Sequence, residues 1–327
     1  MNRAAFLCCL IVAANVVIWA WALVTLHQVP LLLGTALVVY GLGARHAVDA
    51  DHIAAIDNAT RKLLQSGGDP AGSGLYFSLG HSSVVIAGSL ALLLLTHDAR
   101  AHALWLMQAG GILGTAISVG FLFAIAAANA WLLRDKLLRR ADAASVAGPA
   151  PGPMTRILRP LLRMITRSWH MLPLGALFAL GFDSVSEVAV MALSSAQSIS
   201  GVPRSQVLAL PLLFAAGMVL VDTCDSALMA RAYGWALTEP RRRRRYDLTV
   251  TALSVCIALA VGTLEALGLL ASRLDFHGQL WRAVSAINER FGAIGCGIIV
   301  AFLLCFALAI ALQPRRPALL SQPRSPP

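Results

Sequence analysis

Long apolar runs separated by short polar breaks set the pattern of this chain. Dividing it at the breaks gives eight candidate spans, near 4–26, 30–57, 75–96, 109–133, 169–195, 206–231, 247–270 and 291–312. A run of about 20 apolar residues is the length of helix that crosses a hydrocarbon core. Backbone groups in lipid find no water to bond, so such runs become helices that satisfy themselves. The pattern therefore predicts an all-α, polytopic membrane protein with about eight transmembrane helices. The first run follows Arg3 and reaches Leu26, too long for a signal peptide's apolar region and without a small-residue cleavage site, so it is expected to stay as the first helix.

Composition excludes a soluble globule. Of 327 residues, 58% are hydrophobic and 13% charged, and the mean hydropathy is +0.73. That leaves too little polar surface to face water. The net charge of +10 does not indicate nucleic acid, because the basic residues lie between the apolar runs instead of on one amphipathic face. Lipid headgroups are their expected partner. Cys8, Cys9, Cys224, Cys256, Cys296 and Cys305 form no CxxC pair and read as small buried hydrophobes.

Basic residues also orient the bundle. Arg3, Arg61 with Lys62, the group from Arg134 to Arg167, the run from Arg241 to Arg245, and Arg315 with Arg316 fall in alternate connections. By the positive-inside rule these connections and both termini are cytoplasmic. Residues 1–133 would be an N-terminal transmembrane half and 169–312 a C-terminal half. Between them, 134–168 contains the stretch from Ala147 to Pro153, rich in proline and glycine, and reads as a basic cytoplasmic linker. The tail from 313 to 327 reads as disordered.

An ionised side chain inside hydrocarbon costs about 2.5–3.5 kcal/mol on insertion scales, and this chain has a cluster of them. The second span carries Arg45, His46, Asp49, Asp51, His52 and Asp57. On a regular helix, at about 100° per residue, His46, Asp49 and His52 project within roughly 120° of one another, and Asp57 returns close to His46. Asp51 points away, which calls either for a distortion near Gly41 and Gly43 or for another partner such as Arg45. Two imidazoles beside carboxylates suit nickel, cobalt, zinc or copper better than magnesium or calcium. Asn15 in the first span offers an oxygen ligand or a bond between helices.

Other spans hold matching residues. His81 lies among Ser78, Ser82 and Ser83 in the third. Asp183 and Glu187 are four residues apart in the fifth, and Asp222 and Asp225 three apart in the sixth. Carboxylates on one helix face, with no lysine near, call for a proton or a cation between them. His81, Asp183, Glu187, Asp222 and Asp225 are therefore candidates for a transport pathway.

At these positions the chain resembles the NiCoT family of nickel/cobalt transporters. The family's second-helix element, His-x4-Asp-His within Arg-His-Ala-Val/Phe-Asp-Ala-Asp-His, corresponds to Arg45 through His52 without a departure. Its third-helix motif resembles Phe77 to Val85. Its fifth resembles Leu180 to Glu187, with Ser184 and Ser186 in place of threonines, and its sixth resembles Gly217 to Asp225, with Cys224 in place of threonine. The resemblance implies an eight-helix permease that takes up Ni2+ or Co2+ with high affinity and recognises the metal through His46, Asp51 and His52.

No Gly-x4-Gly-Lys-Ser/Thr loop is present, so neither ATP hydrolysis by this chain nor a resident cofactor is expected, and no ATPase subunit is evident. The expected function is secondary uptake of divalent nickel or cobalt, the ion being substrate, across the bacterial cytoplasmic membrane. Two alternatives remain open. An efflux permease could use the same site chemistry. An intramembrane metalloenzyme could hold zinc on a histidine pair, although the His-Glu-x-x-His spacing is absent.

Overall fold

The computed structural model describes residues 3–27, 29–94, 97–138, 165–180, 187, 189–194, 203–237, 240–274 and 276–311. Among them are eleven α-helices and no strand. They are α1 (Arg3–Leu26), α2 (Pro30–His46), α3 (Ala50–Gln65), α4 (Ser73–Leu94), α5 (His97–Leu138), α6 (Met171–Ala179), α7 (Arg204–Val207), α8 (Ala209–Leu237), α9 (Pro240–Leu274), α10 (Gln279–Asn288) and α11 (Phe291–Ala311). Six of these helices, α1, α4, α5, α8, α9 and α11, contain stretches long and apolar enough to cross a membrane. The bent pair α2 and α3 adds a seventh if it counts as one span. The expected fifth span, 169–195, is described only at 169–180, 187 and 189–194, and most of the expected linker and the whole tail lie outside the described residues.

The helices carry large apolar side chains on their outer faces, such as Val24 and Leu31, 72% and 76% exposed. That is the reverse of a water-soluble bundle and suits lipid tails. The cysteines also differ from expectation. Cys8 and Cys305 are partly exposed and the other four exposed, with no disulfide. Apolar runs place residues on lipid-facing as well as core-facing sides, and run position alone cannot separate the two.

The interior is organised around α3, the least apolar of the long elements, with 12 of its 16 residues buried. It packs against α8, α9 and α11, with α4 and α5 also in contact. The expected second span is not one helix. The chain leaves α2 at His46, turns through Ala47 and Val48, and enters α3 from Asp49 with a bend of 53°. Hydrogen bonds from Val48 to the Arg45 carbonyl and from Asp49 to the His46 carbonyl tighten the turn. Asp49 then takes the extended N-cap conformation that starts α3.

The break is not at Gly41 or Gly43. A Cβ on Gly43 would run into the Phe214 backbone, and one on Gly217 into the Tyr40 carbonyl, so these glycines let α2 and α8 touch closely. Gly295 of α11 does the same at the turn itself, against the Val48 carbonyl. A broken helix inside a membrane is tolerated where protein buries it, and three neighbouring helices do so here.

The second helix also continues beyond its expected end, through Arg61 and Lys62 to Gln65. Arg61 is therefore no loop residue at the lipid surface. It is 4% exposed and donates to Thr251 at 3.0 Å and Asn58 at 3.1 Å. The bend likewise separates Asp57 from His46. Asp57 accepts hydrogen bonds from Tyr233 of α8 and Ser254 of α9 instead.

Candidate metal centre

Three histidines meet at the α2–α3 break. His46 is the last residue of α2, His52 lies in the first turn of α3, and His81 comes from the middle of α4. Their ring centroids form a nearly equilateral triangle, 4.6 Å from His46 to His52, 4.9 Å from His46 to His81 and 4.7 Å from His52 to His81. One nitrogen from each lies within 4.8 Å of the other two. All three are buried, at 3%, 0% and 3% exposure. Metal–nitrogen bonds of about 2.0–2.1 Å allow two ligand atoms to stand about 4.2 Å apart, so the triangle is close to the size that encloses one ion.

The carboxylates around it are ordered by role. Asp49 accepts from His46 Nδ1 at 3.0 Å. That bond leaves His46 Nε2 as the lone-pair nitrogen facing the triangle, the orientation a carboxylate behind a ligating histidine imposes. His46 Nε2 and His81 Nε2 lie 3.0 Å apart. Glu187 Oε1 is 2.7 Å from the His81 nitrogen and 3.7 Å from the His46 nitrogen. Asp222 Oδ2 stands 3.5 Å from His52 Nδ1 and is fixed by a 2.5 Å hydrogen bond from Ser78.

Neither His52 nitrogen and not His81 Nδ1 makes a hydrogen bond among the described residues. Buried imidazole nitrogens without partners are costly, and lone pairs that face each other repel. A cation inside the triangle would take one nitrogen from each ring. Phe77 and Phe214 wall the site, with ring centroids 4.9 Å from His52 and 5.7 Å from His46. The break also aligns a helix end with the charge. The C-terminus of α2 presents partial negative charge to a cation, and Asp49 and Asp51 offset the unfavourable N-terminus of α3.

The chain matches the model of the family described as "High-affinity nickel-transport protein" over residues 32–312. It belongs to that family.

It is 46% identical to the high-affinity nickel transport protein of Cupriavidus necator over 94% of its own length and 90% of that protein. Identity is 42% to the nickel transporter NixA of Staphylococcus aureus, over 85% of each chain. It is 37% to the cobalt transport protein NhlF of Rhodococcus rhodochrous, over 88% of this chain and 84% of that one. No solved structure matches the chain.

Within this member of the nickel-transport family, the residues singled out in the sequence fall into different places. His46 and His52 meet, and His81, expected on a pathway, joins them as an equal corner of the triangle. Glu187 reaches the same corner. Asp49 sits behind His46. Asp51 is partly exposed in the first turn of α3 and is not one of the three converging residues, although its charge acts on His46.

Asn15 gives its hydrogen bonds elsewhere, donating to the Ile11 carbonyl and accepting from Tyr40, both at 3.0 Å. Asp222 flanks His52, whereas Asp225 lies one turn further along α8. Asp183 lies outside the described residues. Sequence reasoning missed Ser78 as the residue that holds Asp222, and the two phenylalanine walls. Ser78 and Phe77 stand next to His81 in the third-span motif, so a signal was present; Phe214 had none.

Proposed function

We propose that this chain is a secondary permease that imports nickel, with cobalt as an alternative cargo, across the bacterial cytoplasmic membrane. The observation that carries the reading is the buried triangle of His46, His52 and His81, in which both His52 nitrogens and His81 Nδ1 have no hydrogen-bond partner among the described residues, with carboxylates behind it. Imidazole-rich sites select borderline divalent ions such as nickel and cobalt over magnesium and calcium. The names of the relatives agree with that choice of metals.

The three histidines and Glu187 replace the water shell of the entering ion. Asp49 and Asp222 orient the imidazoles, and Asp51 adds negative charge at the break. The ion then follows the acidic face of α8, past Asp222 to Asp225, with Asp183 of the fifth span on the same pathway. The bundle has eight spans, with both termini cytoplasmic and the basic linker on the same side. An inside-negative potential gives a divalent ion about 4.6 kcal/mol per 100 mV, twice the single-charge value. Import therefore proceeds without nucleotide hydrolysis or a resident cofactor, and the chain is not an enzyme.

The test is accumulation of radioactive nickel, with cobalt as competitor, in cells that express the wild type or His46→Ala. Saturable uptake by the wild type, reduced to background in the variant at equal membrane abundance, is the expected result. Faster loss of preloaded metal from wild-type cells would reverse the direction of transport.

A further inference from the structure

Asp225 is an orphan in the interior. It is 7% exposed, and neither carboxylate oxygen has a hydrogen-bond partner among the described residues. An ionised carboxylate in that position costs several kcal/mol unless a positive charge meets it. Its charged neighbours make matters worse, because Asp57 and Asp222 both act on it. The other two have company. Asp222 accepts from Ser78 and faces His52. Asp57 accepts from Tyr233 and Ser254 and feels the buried guanidinium of Arg61.

The position of Asp225 is as telling as its isolation. It follows Asp222 by three residues, about 4.5 Å of rise along α8, and Asp57 follows His52 by five, about 7.5 Å along α3. The two helices pack together. His52 faces Asp222, and five residues on Asp57 meets Tyr233 further along α8, so both displacements leave the histidine triangle toward the end of α3 that carries Arg61 and Lys62.

We propose that Asp225, in the field of Asp57, is a second cation subsite, built of oxygen ligands alone, that takes the divalent metal from the His52–Asp222 side of the triangle. The proposal rests on the import reading above and extends it with a second station. Nickel and cobalt bind carboxylate oxygen less tightly than imidazole. A station of lower affinity suits release, since conduction needs binding weak enough to let the ion leave. Asp225 supplies the ligand oxygens. Asp57, held in place by Tyr233 and Ser254, supplies charge.

The experiment uses the full chain, purified in detergent for equilibrium binding of radioactive nickel and reconstituted into vesicles for net uptake and nickel–nickel exchange. In Asp225→Asn, nickel should bind the histidines with a Kd within about threefold of wild type. Net uptake and exchange should both fall by roughly tenfold or more, and Asp225→Glu should restore part of both. Uptake and exchange near the wild-type rate in Asp225→Asn would overturn the subsite. So would loss of net uptake with exchange intact, which assigns Asp225 to a proton, and so would loss of nickel binding at the histidines, which makes Asp225 part of the first site or of the fold. If wild-type vesicles take up neither nickel nor cobalt, the import reading itself fails and the subsite falls with it.

Discussion

Two polar clusters share helix α3, and they treat their hydrogen bonds in opposite ways. Near its C-terminal half, Arg61 donates to Thr251 and Asn58, Asn129 donates to Asn58 at 2.7 Å, and Tyr233 and Ser254 donate to Asp57. With the exception of Arg61 Nε, the atoms of this cluster meet partners of opposite kind, and the bonds tie α3 to α5, α8 and α9. At its N-terminal end the nitrogens of three histidines face one another, and several have no partner among the described residues. Satisfied buried networks rigidify a core. Convergent, unsatisfied donors of one kind await a ligand. Burial and polarity are the same in both places, so only the pairing distinguishes scaffold from site.

That contrast breaks first at the histidines. His52→Ala and His81→Ala should each reduce nickel uptake to background while the protein remains in the membrane at normal abundance, measured by transport and immunoblot on the same cells. Transport that survives the loss of His81 would remove α4 from the site. Arg61→Ala should act on the scaffold instead. It removes the buried hydrogen bonds to Thr251 and Asn58 and should destabilise the fold by about 1–3 kcal/mol, seen as a lower melting temperature in detergent, whereas the surviving folded fraction binds nickel normally. A wild-type melting temperature would mean that the second cluster is not structural.

Asp49→Asn tests the boundary between the two kinds of residue. It keeps the shape behind His46 but removes the charge, and nickel affinity of the purified protein should fall by roughly 10–100-fold, with little change in melting temperature. The smallest effect belongs to Asn15→Ala. Loss of its bond with Tyr40 should cost about 0.6 kcal/mol of stability and leave uptake unchanged; a large drop in uptake would restore Asn15 as a ligand.

Much of this was legible along the chain, because lipid simplifies the code. The span near 75–96 lies over α4, Ser73–Leu94, and that near 291–312 over α11, Phe291–Ala311, because a helix that crosses hydrocarbon must be long and apolar. His46 and His52 stood out for the same reason, as charges and imidazoles where they are expensive. The second span misled by its regularity. A continuous helix put Asp57 beside His46, whereas the turn at Ala47 and Val48 sends it toward Tyr233. The span from 247 also hid its start, since α9 begins at Pro240, a residue favoured in the first turn, and carries the arginine run within the helix.

The sequence by itself determined the all-helical membrane class, most of the spans and the residue types gathered at the candidate metal centre, since each follows from residue type and run length. Only the tertiary structure decided that the second span breaks at Asp49, that His81 completes the triangle while Asn15 stands apart, and that Asp225 has no hydrogen-bond partner among the described residues. Those outcomes depend on which helices touch, at close approaches such as Gly43 on Phe214 and Gly295 on Val48, and contact between distant segments has no local signature in the chain.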